Sequence, residues 1–206
     1  MIVTDIQTIS KSKYRIFLDD EFAFVLYKGD LSHYKLKTGI EITENQYLEI
    51  LEQVVLKRAK LRALHLLTDM GRSEKQLRQK LQQTEYPEKV IEAAISYVKS
   101  FGYLNDRQYA ESFIISHKDK YSKRELSLKL REKGIQSQDI DLALEEAYGD
   151  SASEEENTIR QILEKKHWME RLQDPKEKQK VVAYFVRKGF SYTSICNVLQ
   201  VSLSDA

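Results

Sequence analysis

YSKRELSLKLREKGIQSQDIDLALEEAY, residues Tyr121–Tyr148, is the stretch from which the rest of the chain can be read. Leu126 and Leu130, four apart, share one face of a helix. Gly134 breaks that pattern as a helix C-terminus does, because glycine takes a left-handed backbone without a side-chain clash. Ile140, Ala143, Leu144 and Ala147 then repeat at i, i+3, i+4 and i+7, the stripe of an amphipathic helix. Sliding this helix–turn–helix back by 49 positions lays it on Leu77, Leu81, Ile91, Ala94, Ile95 and Val98. Sliding it forward by 55 lays it on Val181, Phe185, Ile195, Val198, Leu199 and Ser202, with Lys188-Gly189-Phe190 on Lys133-Gly134-Ile135. Two stripes and the interval between them match in three copies, so the chain contains three tandem copies of one helical unit.

Upstream of each copy lies one more helix. A T-x-x-Q pattern, Thr43 with Gln46, suits a capping box, and Ile42 with Tyr47 suits a hydrophobic staple. From there to Met70 the apolar spacing (Leu48, Leu51, Val55, Leu56, Ala59, Ala63, Leu64, Leu67) is helical. The span is long enough to expect a break near Lys57–Lys60. Its second half opens the first repeat. The counterpart in the second repeat is Asp106–His117, with Asp106 as cap and Tyr109, Phe113 and Ile114 facing inward. Each repeat is therefore expected to hold three helices, at about 59–103, 105–148 and 155–203. Gly149-Asp150-Ser151-Ala152-Ser153 is the best linker candidate. The longer third interval is expected to be taken up there or around His167–Pro175.

The first 27 residues differ. Ile2–Thr8 alternates, while Tyr14–Leu18 and Phe22–Tyr27 are rich in aromatic and branched residues, with Asp19-Asp20-Glu21 as a polar turn; together they predict a three-stranded antiparallel meander. Asp30 can cap a short helix that Gly39 ends. The expected fold is mainly α: three tandem three-helix repeats in an elongated array, preceded by the β meander and a short helix. The corresponding segments are a β-rich region at 1–42, lead-in helix and repeat one at 43–103, repeat two at 104–149, and repeat three at 150–206, with which the chain is expected to end.

Across 206 residues, 41% are hydrophobic and 32% charged, enough for a real core with highly charged helix faces. The formal net charge of +1 hides segregation. Residues 57–81 carry a local charge of +6, residues 117–133 one of +4 and residues 160–190 one of +5, while 134–159 carry −8. Three basic clusters, one in each repeat, suit a polyanion. Lys75 and Lys80 align with Arg124 and Lys129, and Lys123 and Lys133 align with Lys178 and Lys188; solvated helix faces would be charged in any case. With their neighbours Arg58, Arg62, Arg72, Arg78, Arg131 and Arg187, these residues form the candidate contact set.

One cysteine, Cys196, excludes an intramolecular disulfide and suits an inert, partly buried thiol. No apolar run approaches the ~20 residues of a bilayer span, and the N-terminus has no signal-peptide pattern, so no membrane contact and a cytoplasmic location are expected. His33, His65, His117 and His167 have no metal-ligand spacing. No phosphate-binding or nucleophile-elbow motif occurs either. We therefore expect no catalytic residues, no metal and no cofactor. Tyr86, Ile135 and Phe190 share one repeat position and read as core. Trp168 reads as filling the longer junction.

Several short motifs together resemble the RecX family of bacterial recombination regulators. They are Leu61-Arg62-Ala63-Leu64-His65-Leu66-Leu67, Ser73-Glu74-Lys75-Gln76-Leu77 and Phe101-Gly102-Tyr103-Leu104-Asn105-Asp106. To these add Tyr109-Ala110-Glu111, Lys133-Gly134-Ile135 and Arg187-Lys188-Gly189-Phe190-Ser191-Tyr192, over about 58–200. The resemblance implies three three-helix repeats and a non-catalytic monomer that binds the recombinase RecA, in its filament on single- or double-stranded DNA. It also implies damping of RecA's ATPase, strand-exchange and coprotease activities, and so a role in DNA repair and the SOS response. Direct contact with DNA would be weak and non-specific. A helix-turn-helix DNA reader and a passive helical scaffold are the competing readings. Against the first, helix 3 of repeat two carries Asp139, Asp141, Glu145 and Glu146, which a phosphate backbone repels.

Overall fold

Alternating residues at the N-terminus do form a meander. In the computed structural model, which describes residues 1–149 and 152–200, strands β1 (Val3–Thr8), β2 (Lys13–Leu18) and β3 (Glu21–Tyr27) pair antiparallel in the order β1-β2-β3. Val3, Ile16, Phe24 and Leu26 are fully buried from its inner face. The segment after the first helix returns to the sheet edge, where Val3 N–H donates to the Ile40 carbonyl at 2.9 Å and Gly39 N–H to that of Val3 at 2.8 Å.

Helix α1 (Lys28–His33) starts earlier than Asp30. Asp30 is not its cap but lies in its first turn, where its carboxylate accepts from the backbone N–H of Tyr27 at 2.8 Å. The helix ends at His33, before Gly39, and Lys35 follows in a left-handed conformation at φ 53°. The Thr43–Gln46 box is half made. Thr43 Oγ1 accepts from Gln46 N–H at 3.2 Å, but the Gln46 amide turns away to donate to the Tyr34 carbonyl.

The predicted break in the long helix proves to be a change of helix type, and it comes before Lys57. Helix α2 (Glu44–Glu49) passes into a π-helical stretch, Ile50–Leu56, and then into α3 (Lys57–Asp69) without interruption. The buried positions record the change: Ile50 and Val55 are five apart, then Val55, Ala59 and Ala63 four apart. The wider π turn advances the buried face by one residue, which is why Leu48, expected inside, is 43% exposed.

Three helix triplets follow: α3 with α4 (Glu74–Gln82) and α5 (Glu88–Ser100); α6 (Asp106–His117), α7 (Lys123–Glu132) and α8 (Ser137–Tyr148); and α9 (Ala152–Lys165), α10 (Pro175–Arg187) and α11 (Tyr192–Leu199). Asp106 is the first helical residue of α6, not a cap outside it. The chain divides into two compact units, one of residues Met1–Asn105 and one beginning at Asp106. In the first, the meander and α2–α5 share a single apolar core, an arrangement the sequence left open. In the second, α6–α8 and α9–α11 each enclose their own cluster.

The aligned second-helix stripe is buried as expected, while Leu144, Ala147 and Val198 of the third-helix stripe are half-buried. Leu77 and Leu81, Leu126 and Leu130, and Val181 and Phe185 are all at most 3% exposed. The first helices also align once the structure is seen: Ala59, Ala110 and Ile159 are fully buried, as are Ala63 and Ile114. Tyr109 and Phe113, expected inside, lie half-buried on the flank of α6, while the smaller Ala110 takes the interior. Ser202 and the Asp150-Ser151 part of the expected linker lie outside the described residues. Ala152 and Ser153 belong to α9, so the third repeat starts earlier than expected. A 3-10 turn at Glu170–Gln173, after His167 at φ 53°, occupies the longer connection between α9 and α10, and Trp168 packs there against the third core.

One turn recurs with the repeats. Gly134 N–H donates to the Arg131 carbonyl and Ile135 N–H to that of Leu130; Gly189 and Phe190 repeat both bonds on Val186 and Phe185. This paired closure of a helix end needs a left-handed residue, and the glycines supply φ of 86° and 81°. In repeat one the same position is Glu85, at φ 60°. A side chain there is strained by about 1 kcal/mol. Its carboxylate meets Arg15 of β2, the guanidinium at 2.6 Å and Nε at 2.8 Å. Gly189 carries a second constraint, since a Cβ would lie 2.9 Å from Arg124 Cδ and 3.1 Å from its Cβ. Gly189→Ala is expected to cost about 1–2 kcal/mol, from backbone strain and displacement of the Arg124 stem. Chemical denaturation checks this, and an unchanged midpoint would refute it.

Candidate functional site

The cations singled out by charge separate into two groups once their neighbours are visible. Arg58, Arg72, Arg78 and Lys188 are bound into the fold. Arg58 makes a two-pronged bond to Asp30, at 2.6 and 2.9 Å, and lies over the Tyr27 ring, 4.6 Å from its centroid. The Asp30 hydrogen bond raises the Arg58 pKa. Arg72 donates from Nε to the Leu66 carbonyl at 3.0 Å. Arg78 meets three carboxylates, those of Glu74, Glu88 and Glu92, with Glu92 the strongest influence holding its pKa up. Lys188 donates to Glu125 at 3.1 Å, which raises its pKa, while its carbonyl accepts from the buried Ser122 hydroxyl at 2.6 Å. These bonds tie α7 to the turn after α10.

A second set is laid over aromatic rings. Along α6 and just beyond, Tyr109, Phe113, His117 and Tyr121 form a ladder with centroids 6.3, 4.2 and 5.9 Å apart and successive planes within about 21° of parallel. Fourfold spacing puts Tyr109, Phe113 and His117 on one face of α6, and the turn after it brings Tyr121 into line. Lys133 lies 5.3 Å from the Phe113 centroid and Lys129 4.6 Å from that of Tyr121. Lys123 lies 4.6 Å from Tyr148, whose hydroxyl is pushed up to about 12, first by burial and then by Glu155 and Glu154. A lysine held over a ring face has its ammonium in a set position. Sequence reasoning misses the ladder because it places Tyr109 and Phe113 in the core. Their spacing to His117 and Tyr121 is the available signal.

The remainder face solvent, except that Lys178 is half-buried. Arg62, Arg131 and Arg187 are exposed and make no ion pair among the described residues. Arg124 is exposed while its stem lies against Gly189. Lys75 is exposed on α4, Lys80 donates to Gln83 at 3.2 Å, and Lys178 reaches the Gln200 carbonyl at 3.2 Å. Candidate cations therefore lie on α3 and on the second helix, or the turn after it, of each repeat, with Arg72 in the turn between α3 and α4.

No group of three or more His, Cys, Asp or Glu residues among those described is arranged to hold a metal ion, and no helix among them is long and apolar enough to cross a membrane.

Comparison with known proteins bears on the three helix triplets. Residues 59–97, 105–144 and 154–199 match the models of the first, second and third three-helix domains of RecX. A protein described as "Regulatory protein RecX" from Caldanaerobacter subterraneus subsp. tengcongensis is 33% identical over 98% of this chain and all of its own. Another so described, from Clostridioides difficile, is 32% identical over 98% of this chain and 96% of its own. A third, from Bacillus subtilis, is 31% identical over 94% of this chain and 74% of its own. A crystal structure of regulatory protein RecX superposes with a TM-score of 0.65 at 25% identity, covering 97% of this chain and 98% of that one. The RecX structure from Lactobacillus salivarius has the same fold, with a TM-score of 0.60 at 23% identity over 70% of this chain and 94% of that one.

Proposed function

This chain belongs to the RecX family of regulatory proteins, and on that premise we propose that it is a non-catalytic regulator that binds RecA filaments on DNA and inhibits their recombinase, ATPase and coprotease activities. The observation that carries this reading is the recurrence of exposed cations on one helix, or the turn after it, in successive repeats. Arg131 in repeat two and Arg187 in repeat three belong to this set, and Arg62 on α3 adds a further exposed cation in repeat one. A chain with several such units engages a repeating polyanionic assembly through many weak contacts, each raising the effective concentration of the next. DNA in the filament supplies phosphates to the same residues.

The test is DNA-dependent ATP hydrolysis by purified RecA with this protein added. Hydrolysis is expected to fall at fewer than one chain per RecA, and unchanged hydrolysis at every ratio sinks the proposal. Pairing within the fold supports treating Arg58, Arg72, Arg78 and Lys188 as structural and the exposed cations as the contact residues. Reversing the exposed set, Arg62→Glu, Arg131→Glu and Arg187→Glu, is expected to weaken filament binding while leaving thermal stability almost unchanged. The slope of log affinity against log salt should drop by about one for each phosphate that is no longer neutralised. A variant that binds with native affinity and native salt dependence would remove these residues from the interface. A direct helix-turn-helix reader gains no support: among helix 3 of repeat two, Glu146 already answers Arg107 across 3.6 Å, and the remaining acids oppose phosphate.

A further inference from the structure

Helix α5 ends in the same paired closure as α7 and α10, but its consequences differ. Gly102, at φ 72°, donates to the Lys99 carbonyl at 2.9 Å, and Tyr103 donates to that of Val98 at 3.0 Å. In such a closure the residue after the glycine ordinarily packs back on the helix. Ile135 and Phe190 do so and are 4% and 6% exposed, whereas Tyr103 is 60% exposed, and so is Phe101 on the other side of Gly102. The two rings lie 6.1 Å apart with planes 21° from parallel, and Tyr97 stands behind Phe101 at 5.0 Å. Lys60 of α3 sits 4.7 Å from the Tyr97 centroid, and Lys57 is exposed one turn earlier. Two large aromatic rings this open are costly to leave in water without a use.

The feature is particular to repeat one. With Ala59 and Ala63 laid on Ala110 and Ile114, Lys60 falls on Glu111; with α5 laid on α8, Tyr97 falls on Glu146. Both acids turn to Arg107, at 2.9 and 3.6 Å. The same face of the fold thus carries Tyr97 and Lys60 in repeat one and two acids in repeat two, so the repeat core requires neither the Tyr97 ring nor the Lys60 charge.

The geometry points to a stacking platform for the unpaired bases of a single-stranded nucleic acid, formed by Phe101 and Tyr103, with Lys60 and Lys57 placed for the adjoining phosphates. Flat ring faces beside ammonium groups match bases on a phosphate chain. An apolar anchor from a protein would instead require the Lys60 charge to give up water. The platform extends the DNA contact proposed above from phosphates to bases, and its deciding measurement, oligo(dT) against an abasic strand, needs no recombinase, so the two readings fail separately.

Fluorescence anisotropy of labelled oligo(dT) with the full-length protein reads it, beside an abasic strand of equal length. The unmodified chain is expected to hold oligo(dT) more tightly than the abasic strand. Phe101→Ala with Tyr103→Ala should weaken oligo(dT) binding about 10-fold or more and leave abasic binding unchanged. The ring-preserving pair Phe101→Tyr with Tyr103→Phe should bind as the unmodified chain does. Equal affinity of the unmodified chain for both strands overturns the proposal without recourse to any variant. So does native oligo(dT) binding by an alanine pair whose circular dichroism is native. An alanine pair that keeps oligo(dT) but loses capture by RecA also overturns it, and makes the patch a protein-docking surface.

Discussion

Phe185→Ala is expected to remove about 3–5 kcal/mol from the third repeat, most of what a small helical unit has to spare. Phe185 is fully buried and stands edge-on to both Tyr184 and Phe190 at 5.3 Å, so its loss opens a cavity and removes two edge-to-face ring pairs. The chain's one tryptophan reports on it: Trp168 lies 5.0 Å from Tyr184 in the same cluster. In urea, the Trp168 fluorescence transition should move to lower denaturant by more than 1 M, taking a slope of about 1–2 kcal/mol per molar. The ellipticity of the first unit should unfold where it does in the unmodified protein. An unmoved fluorescence transition would show that Phe185 is not a keystone of that core.

The second large effect belongs to Asp30. Its carboxylate receives both prongs of Arg58 and the N–H of Tyr27, and its side chain is 15% exposed. Burial acts to raise its pKa, but the Arg58 hydrogen bond, the Tyr27 N–H and the Arg58 charge together outweigh burial and lower it. Asp30→Ala leaves Arg58 half-buried without its counter-charge and opens the first turn of α1, at an expected cost of about 2–3 kcal/mol. The sign with pH follows from the depressed value. Below the ordinary carboxylate range the unfolded chain binds a proton that the folded one resists. The stability supplied by Asp30 is therefore complete above the unfolded pKa and drains away as pH falls through the folded one. Glu74, lowered by Lys99 and Arg78 in spite of its burial, acts with the same sign. Unfolding measured from pH 6 towards pH 2 should show a shallower acid loss in Asp30→Asn than in the unmodified protein. Parallel curves would count against the pair.

Periodicity makes the helical frame legible. Leu126 and Leu130 with Gly134 predict their counterparts in both neighbouring repeats, because a buried stripe and a left-handed turn constrain residue type at every copy. What periodicity cannot carry are events set by partners distant in the chain. Arg58 counts as a free cation until Asp30, 28 positions away, is seen beneath it. Arg78 looks the same as Lys75 on a charge plot, yet it sits among three carboxylates. Local charge measures how much cation is present; only packing tells how much is already neutralised. The π-helical stretch is illegible for a different reason. A stripe read at 3.6 residues per turn has no place for the five-residue step from Ile50 to Val55, so it puts Leu48 inside.

Glu85 bears on how such an array could be lengthened or rearranged. In the second and third copies the left-handed corner belongs to glycine, which takes it without a counter-ion. In the first, the corner is occupied by Glu85, whose carboxylate pairs with Arg15 on a strand that, among the described residues, the other two copies lack. The first copy is therefore a terminus by construction, a cap whose inner turn has become an anchor to the meander. A chimera that moved residues 59–103 to the middle of the chain would carry the awkward corner without its counter-ion, whereas duplicating 104–149 would carry no such burden. One left-handed residue thus ties the first copy to the meander.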